Sequence, residues 1–150
     1  MRAIVFVLIL GAVSCATYTP GLISINELSL GGVAVGDSES VVLSKLGHAR
    51  RSEHPDDYLT VQLESSGLIV SLDPQDGVGG IFSDRPGHCT PSGICPGTAF
   101  AEVEVRLGRP IVLNRDKSHY TAQFASKSDC WLEVVVHMGF VESIRIACPV

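Results

Sequence analysis

Positive charge is in short supply. The chain has 150 residues and sets 11 Lys+Arg against 16 Asp+Glu, a formal net charge of −5. With no basic excess to neutralise phosphates, general nucleic-acid binding is excluded. Charged residues of both signs make up only 18%, against 45% hydrophobic; this is the opposite of a disordered composition. Aromatics are sparse at 6%, with one Trp. No apolar run reaches the roughly 20 residues of a membrane-spanning helix. No Gly-x-Ser-x-Gly elbow is present to expose a nucleophile. His88, Cys89 and Cys95 lack the close Cys pairs of a zinc site. Asp73–Gly77 lacks the alternating acids of a calcium loop, so it reads as a hairpin turn. Val78–Ile81 lacks the Lys and Ser/Thr of a phosphate loop, and its glycines read as a bulge or close backbone approach. What remains is one small globular unit, or two very small ones sharing a core.

The N-terminus reads as a processing signal. Met1-Arg2 precedes the apolar stretch Ala3–Val13, followed by Ala12-Val13-Ser14-Cys15. That pattern fits a lipobox in which residues 1–14 are removed and Cys15 is lipidated. Cleavage after Ala16 by an ordinary signal peptidase is the alternative. Both routes export the protein. In a Gram-negative host, Ala16 rather than Asp after the Cys points to the outer membrane, with a soluble periplasmic or secreted form as the alternative. Residues 15–27 read as a tether.

Self-similarity organises the remainder. Gly36–Gly47 recurs as Gly97–Gly108 at an offset of 61, aligning Gly36/Gly97, Val42/Val103, Lys45/Arg106, Leu46/Leu107 and Gly47/Gly108. Each copy predicts a short helix. Asp37 or Ser38, and Thr98, are placed to cap its start. Apolar residues four apart share a face, and a glycine stands at the exit. Strands follow at Tyr58–Leu63, Leu68–Leu72 and Val78–Ser83, and at Tyr120–Phe124, Trp131–Val136 and Val141–Ala147. The expected fold is therefore α+β: a tandem repeat of a short helix followed by a three-stranded antiparallel sheet, in two layers. The first repeat spans 28–84 and the second 97–150, with a linker at 85–96.

Four cysteines remain besides Cys15, an even number suited to an oxidising compartment. A last hairpin turning at Gly139 pairs positions summing to 278, which sets Cys130 opposite Cys148. Cys89 and Cys95 bracket five residues and are expected to close the linker into a small loop.

The helix ending in Leu-Gly, with Pro110 following in the second copy, resembles the BamE/SmpA/OmlA-type envelope lipoproteins. It is similar also to the β-lactamase inhibitor protein, which carries tandem copies of a related unit. In the first copy Ala49 stands where that pattern has Pro. The matched positions are caps and core, so no catalytic residue carries over. The resemblance implies a protein-binding unit, acting in outer-membrane barrel assembly or as an inhibitor of a secreted hydrolase.

No enzyme, cofactor or metal is expected. The five histidines are scattered, and His54 and His119 lie in polar loops between helix and strand; a small hydrolase using them is the alternative from another class. The expected partner is a protein, either a membrane β-barrel assembly component or a secreted enzyme, with the membrane reached through the lipid anchor. Tyr58, Tyr120, Trp131 and Phe140 are the candidate contact residues, Tyr and Trp being favoured interface anchors. Their competing role is to fill the core.

Overall fold

A computed structural model describes residues 21–54, 61–115 and 118–149. The signal segment 1–14, the lipidation candidate Cys15 and the candidate contact Tyr58 lie outside the described residues.

The elements run β1 (Leu22–Ile23), a 3-10 turn (Ile25–Glu27), β2 (Ser29–Leu30), β3 (Val33–Ala34), α1 (Glu39–Leu46), β4 (Arg50–Glu53), β5 (Val61–Ser65), β6 (Leu68–Asp73), β7 (Gly77–Ser83), α2 (Phe100–Leu107), β8 (Val112–Arg115), β9 (His119–Ser126), β10 (Trp131–His137) and β11 (Phe140–Ala147). Among the described residues, eight strands follow the order β1-β9-β10-β11-β7-β6-β5-β4, and β8 joins β9 beside β1; β2 and β3 form a separate pair. All pairings in the large sheet are antiparallel except that of β1 with β9.

The expected α+β tandem repeat is therefore wrong. The protein is mostly β, with one large mixed sheet, a two-stranded one and two helices of eight residues each. Two features hid this. First, β7 and β11 pair directly, Ile146 opposite Ile81 and Ile144 opposite Ser83, so strands of both halves share one sheet. Second, β4 is the sequence Arg-Arg-Ser-Glu with all four residues exposed. A two-sided-polar edge strand shows no hydrophobic alternation, and its charges suit an edge that must not pair further.

Strands whose core face is buried are plain in the sequence. Leu68, Val70 and Leu72 of β6, and Leu132, Val134 and Val136 of β10, are fully buried and alternate with half-exposed neighbours. This is the period-2 pattern of a sheet packed on one face. The core continues through Phe124, Ile144 and Ile146 of the sheet to Val42 of α1, Val103 of α2, Ile94 of the linker and Leu28, Leu30 and Val33.

Turn chemistry sets the register. Ser66 and Gly67 between β5 and β6, and Met138 and Gly139 between β10 and β11, all have positive φ. Two successive positive-φ residues match the twist of a tight hairpin. In the last hairpin the turn pairs His137 with Phe140, and a bulge between Val135 and Val136 shifts the register by one. Beyond it Trp131 faces Ala147, which restores the sum of 278 and aligns the flanking cysteines. Disulfides join Cys130 to Cys148 and Cys89 to Cys95. The glycines at 79–80 do host a bulge, since Ser71 pairs with Gly80 while Leu72 pairs with Val78.

The helix starts differ from the expectation. The residues preceding the helices are Ser38 and Ala99, and neither side chain caps the helix. Asp37 instead accepts the Ala34 N–H at 2.8 Å and the Lys45 ammonium at 2.6 Å, while Thr98 accepts the Cys95 N–H at 3.0 Å. Gly47 and Gly108 exit the helices at φ 70° and 80°, where a Cβ is disfavoured.

Candidate functional site

The two helices and the linker pack on one face of the sheet. The other face is left to the strands' remaining side chains, and the register arranges these in rows. One row runs Arg50–Glu64–Ile69–Phe82–Arg145–Glu133–Gln123 across β4, β5, β6, β7, β11, β10 and β9. The next runs Ser52–Gln62–Ser71–Gly80–Ala147–Trp131–Ala125 over the same strands. The two rows have different heights. Gly80, Ala147 and Ser71 are small and make a floor, while Ile69, Phe82 and Arg145 stand beside them as a wall. Together they outline a trough of about 520 Å³ that Gln62 and Cys148 also line. This volume lies within the range of ligand pockets.

Several devices hold the trough's shape. The bulge at Gly79 brings its carbonyl within 2.9 Å of the Cys148 N–H. The Cys130–Cys148 disulfide fixes the adjoining end of the β10–β11 hairpin. Beneath the floor, Ile81 and Ile146 are buried in the core. Gly77, at φ 83°, begins β7, and a Cβ there would lie 2.8 Å from the Gly36 and Asp37 carbonyl oxygens.

Charge on this face is uneven. Arg50 pairs with Glu64 at the β4 end. Arg51, its neighbour on β4, faces the helix side instead, opposite the buried Leu63, and is shared by Glu53 and by Glu39 of α1 at 2.8 Å; hydrogen bonds to these two carboxylates hold its guanidinium more firmly protonated than usual. Arg145, in the middle of the sheet, is exposed and has no ion pair among the described residues.

The sequence-nominated contact residues separate. Trp131 is half-buried and sits in the row that carries the trough floor. Phe140 is 55% exposed at the hairpin tip, next to Met138 at 73%. Tyr120 points to the core side, edge-on to Phe100 with ring centroids 5.2 Å apart. Sequence reasoning missed Ile69, Phe82 and Arg145. The signal available was the alternation of β6 and β7, whose half-exposed members Ile69 and Phe82 are apolar where a solvated face calls for polar residues.

The histidines do not converge. His54 follows β4 and His119 opens β9. Six strand spacings, roughly 28 Å, separate those strands. His119 lies 3.3 Å from Glu142 and its ring 5.8 Å from that of His137, all at the surface. His88 Nδ1 and Ser83 Oγ are 2.7 Å apart, but Ser83 is completely buried. Its hydroxyl also accepts the Arg85 N–H, which suits a structural tie better than a nucleophile. Burial lowers the His88 pKa below its ordinary value, against a smaller opposing effect of the Asp84 charge. Among the described residues no group of three His, Cys, Asp or Glu is placed to hold a metal ion, and no helix is long and apolar enough to cross a membrane.

No family model and no curated protein matches the chain. Two solved structures resemble it in fold. One is an extracellular protein containing a SCP domain from Bacillus anthracis, with a TM-score of 0.52 at 10% identity, the match covering 76% of this chain and 44% of that one. The chain thus spans less than half the length of that protein. The other is a DUF4309 family protein (YjgB) from Bacillus subtilis, with a TM-score of 0.49 at 10% identity over 79% and 83% of the two chains. At such identity the likeness concerns fold alone.

Proposed function

We propose that the chain is an exported, non-catalytic protein-binding protein whose contact surface is the open face of the large sheet. The observation that carries this reading is the position of Ile69, Phe82, Trp131 and Val135 on a face that no described element covers, with Gln62, Glu64, Glu133 and Arg145 among them. Uncovered apolar and aromatic side chains interspersed with charged ones suit a protein interface. Two disulfides fit an oxidising compartment, and the fold's likeness to an extracellular protein accords with export. In this reading Cys15 carries a lipid anchor and the protein serves outer-membrane assembly or maintenance; inhibition of a secreted hydrolase is the second role such a face suits.

The test is a cross-linked pull-down of the mature protein from its own envelope fraction, with bound proteins identified by mass spectrometry. It is run beside Phe82→Glu and Val105→Glu; Val105 is 85% exposed on α2, across the sheet from the open face. Recovery of a barrel component with wild type and Val105→Glu, but not with Phe82→Glu, is the expected outcome. A soluble hydrolase recovered with the same dependence, and inhibited stoichiometrically, selects the inhibitor role. Recovery indifferent to Phe82→Glu sinks the assignment of the face. Turnover of a model ester or peptide that is abolished by His54→Ala or His119→Ala sinks the non-catalytic reading.

A further inference from the structure

We infer that the trough receives a protein loop presenting a carboxylate beside an apolar side chain, with Arg145 as the counter-charge; this rests on the protein-binding reading above. Lys45, Arg50, Arg51, Arg85 and Arg106 each have an acidic partner. Arg145 is exposed and, like Arg109 and Lys127, has none among the described residues; of these three it alone belongs to a strand of the large sheet, with Glu133 opposite on β10 in a chain that carries an excess of acids. An unpaired guanidinium offers a planar fork of donors suited to a carboxylate. Its neighbour in the row is Phe82, followed by Ile69. The wall of the trough is thus cationic at one end and apolar along the rest.

The shape argues for a loop rather than a free small molecule. A small ligand needs a site that buries most of its surface, and this trough is lined by residues of the sheet's strands with Cys148 just beyond β11. A loop carried on a larger body brings its own surroundings and supplies the rest of the interface. The face of a paired sheet also has no free backbone donors or acceptors, because these point sideways into the neighbouring strands. Recognition must therefore use side chains, and those present select a negative group next to an apolar one. The glycine and alanine floor leaves room for the inserted side chains to descend.

The experiment is a titration of the disulfide-intact mature protein, followed by amide NMR shifts. The probe is a cyclic peptide, Cys-Gly-Glu-Phe-Gly-Cys closed through its cysteines, compared with the same ring carrying Gln for Glu. The expected result is shifts confined to Gly80, Phe82, Ala147 and their strand neighbours. The Glu ring should bind about fivefold tighter than the Gln ring, as an exposed ion pair allows, and Arg145→Gln should remove that difference while the spectrum stays that of a folded protein. Equal binding of both rings, no binding, or shifts elsewhere overturns the inference. So does tighter binding of decanoate, which would mark a site for a small amphiphilic anion, or line broadening that grows with protein concentration, which would mark a second copy as the occupant. The pull-down separates the two proposals. Partner recovery lost in Phe82→Glu but unchanged in Arg145→Gln overturns the carboxylate assignment and leaves the protein-binding reading standing. Recovery unchanged in both overturns both.

Discussion

α1 and α2 are the same length and occupy matching places in the sequence repeat, yet they are held by different forces. α2 buries Phe100, Val103 and Leu107 in the core, whereas α1 buries only Val42. At the offset of 61, Phe100 corresponds to Glu39. Where the second helix inserts a ring, the first extends a carboxylate to Arg51 at 2.8 Å and adds a link from Lys45 to Asp37 at 2.6 Å. The shared Gly, Val, Leu and Gly positions specify a path: turn in, one apolar face, turn out. They do not specify how strongly the helix is held. A helix of eight residues is too short to be stable alone, so its tertiary contacts decide that.

The sharpest way to break the comparison is Phe100→Ala. Removing a buried phenyl from a close-packed core costs about 3–5 kcal/mol. The loss here includes the edge-on contact with Tyr120. Urea denaturation should show a lower midpoint with an unchanged slope; a shift within error would mean that α2 is as loosely held as α1. Next in size come the disulfides. The two bridges span 18 and 6 residues. On the loop-entropy model, Cys130→Ser with Cys148→Ser costs about 3 kcal/mol and Cys89→Ser with Cys95→Ser about 2. The smaller loop is also tied by other bonds, Ser92 Oγ donating to Glu27 at 2.7 Å and Arg106 to the Gly93 carbonyl at 2.7 Å. The reversed order would show that strain, rather than chain entropy, sets the balance.

What the residues revealed before the structure was known follows the same division. β6, β10 and β11 were legible because one face of each is buried, in strict alternation in β6 and β10 and with one extra residue between Val141 and Ile144 in β11. The Cys130–Cys148 pairing was legible because hairpin register is arithmetic, although the bulge near Val136 and the turn at Met138–Gly139 depart from that arithmetic and compensate each other. β4 was illegible because an exposed edge strand has no apolar face to announce it. The joining of β7 to β11 was illegible because nothing local specifies which strand a given edge will meet. β1 falls in the stretch read as a tether, and its two residues are too few for any pattern. At the site, Trp131 was found by residue type. Arg145 was not, because a lone arginine becomes informative only once the acids around it prove to be engaged elsewhere or out of reach.

A smaller effect concerns the linker that separates the two helices. His88 is wedged between Ser83 and Gly31, its Nδ1 2.7 Å from the Ser83 hydroxyl. Burial lowers its pKa in the folded state, whereas the unfolded chain keeps the ordinary value near 6.5. As pH falls below about 6.5, the unfolded state takes up the proton first. Stability therefore declines from there down to the folded-state pKa, and recovers as pH rises. His88→Gln should flatten this slope in urea titrations between about pH 7 and pH 5. An identical slope in both proteins would place the titration at another histidine.

The smallest effect is the most instructive about α1. Glu39→Ala removes the carboxylate that stands where α2 has its phenyl ring. Both partners of the Glu39–Arg51 pair are partly exposed, at 29% and 44%, and exposed pairs gain little because water and salt compete for each charge. Arg51 moreover keeps Glu53. The denaturation midpoint should therefore stay within error of wild type, and 1 M salt should not widen the gap. A drop approaching that of Phe100→Ala would mean that the ion pairs linking α1 to β4 act as a cooperative unit, and that the two helices are held equally hard by different chemistry.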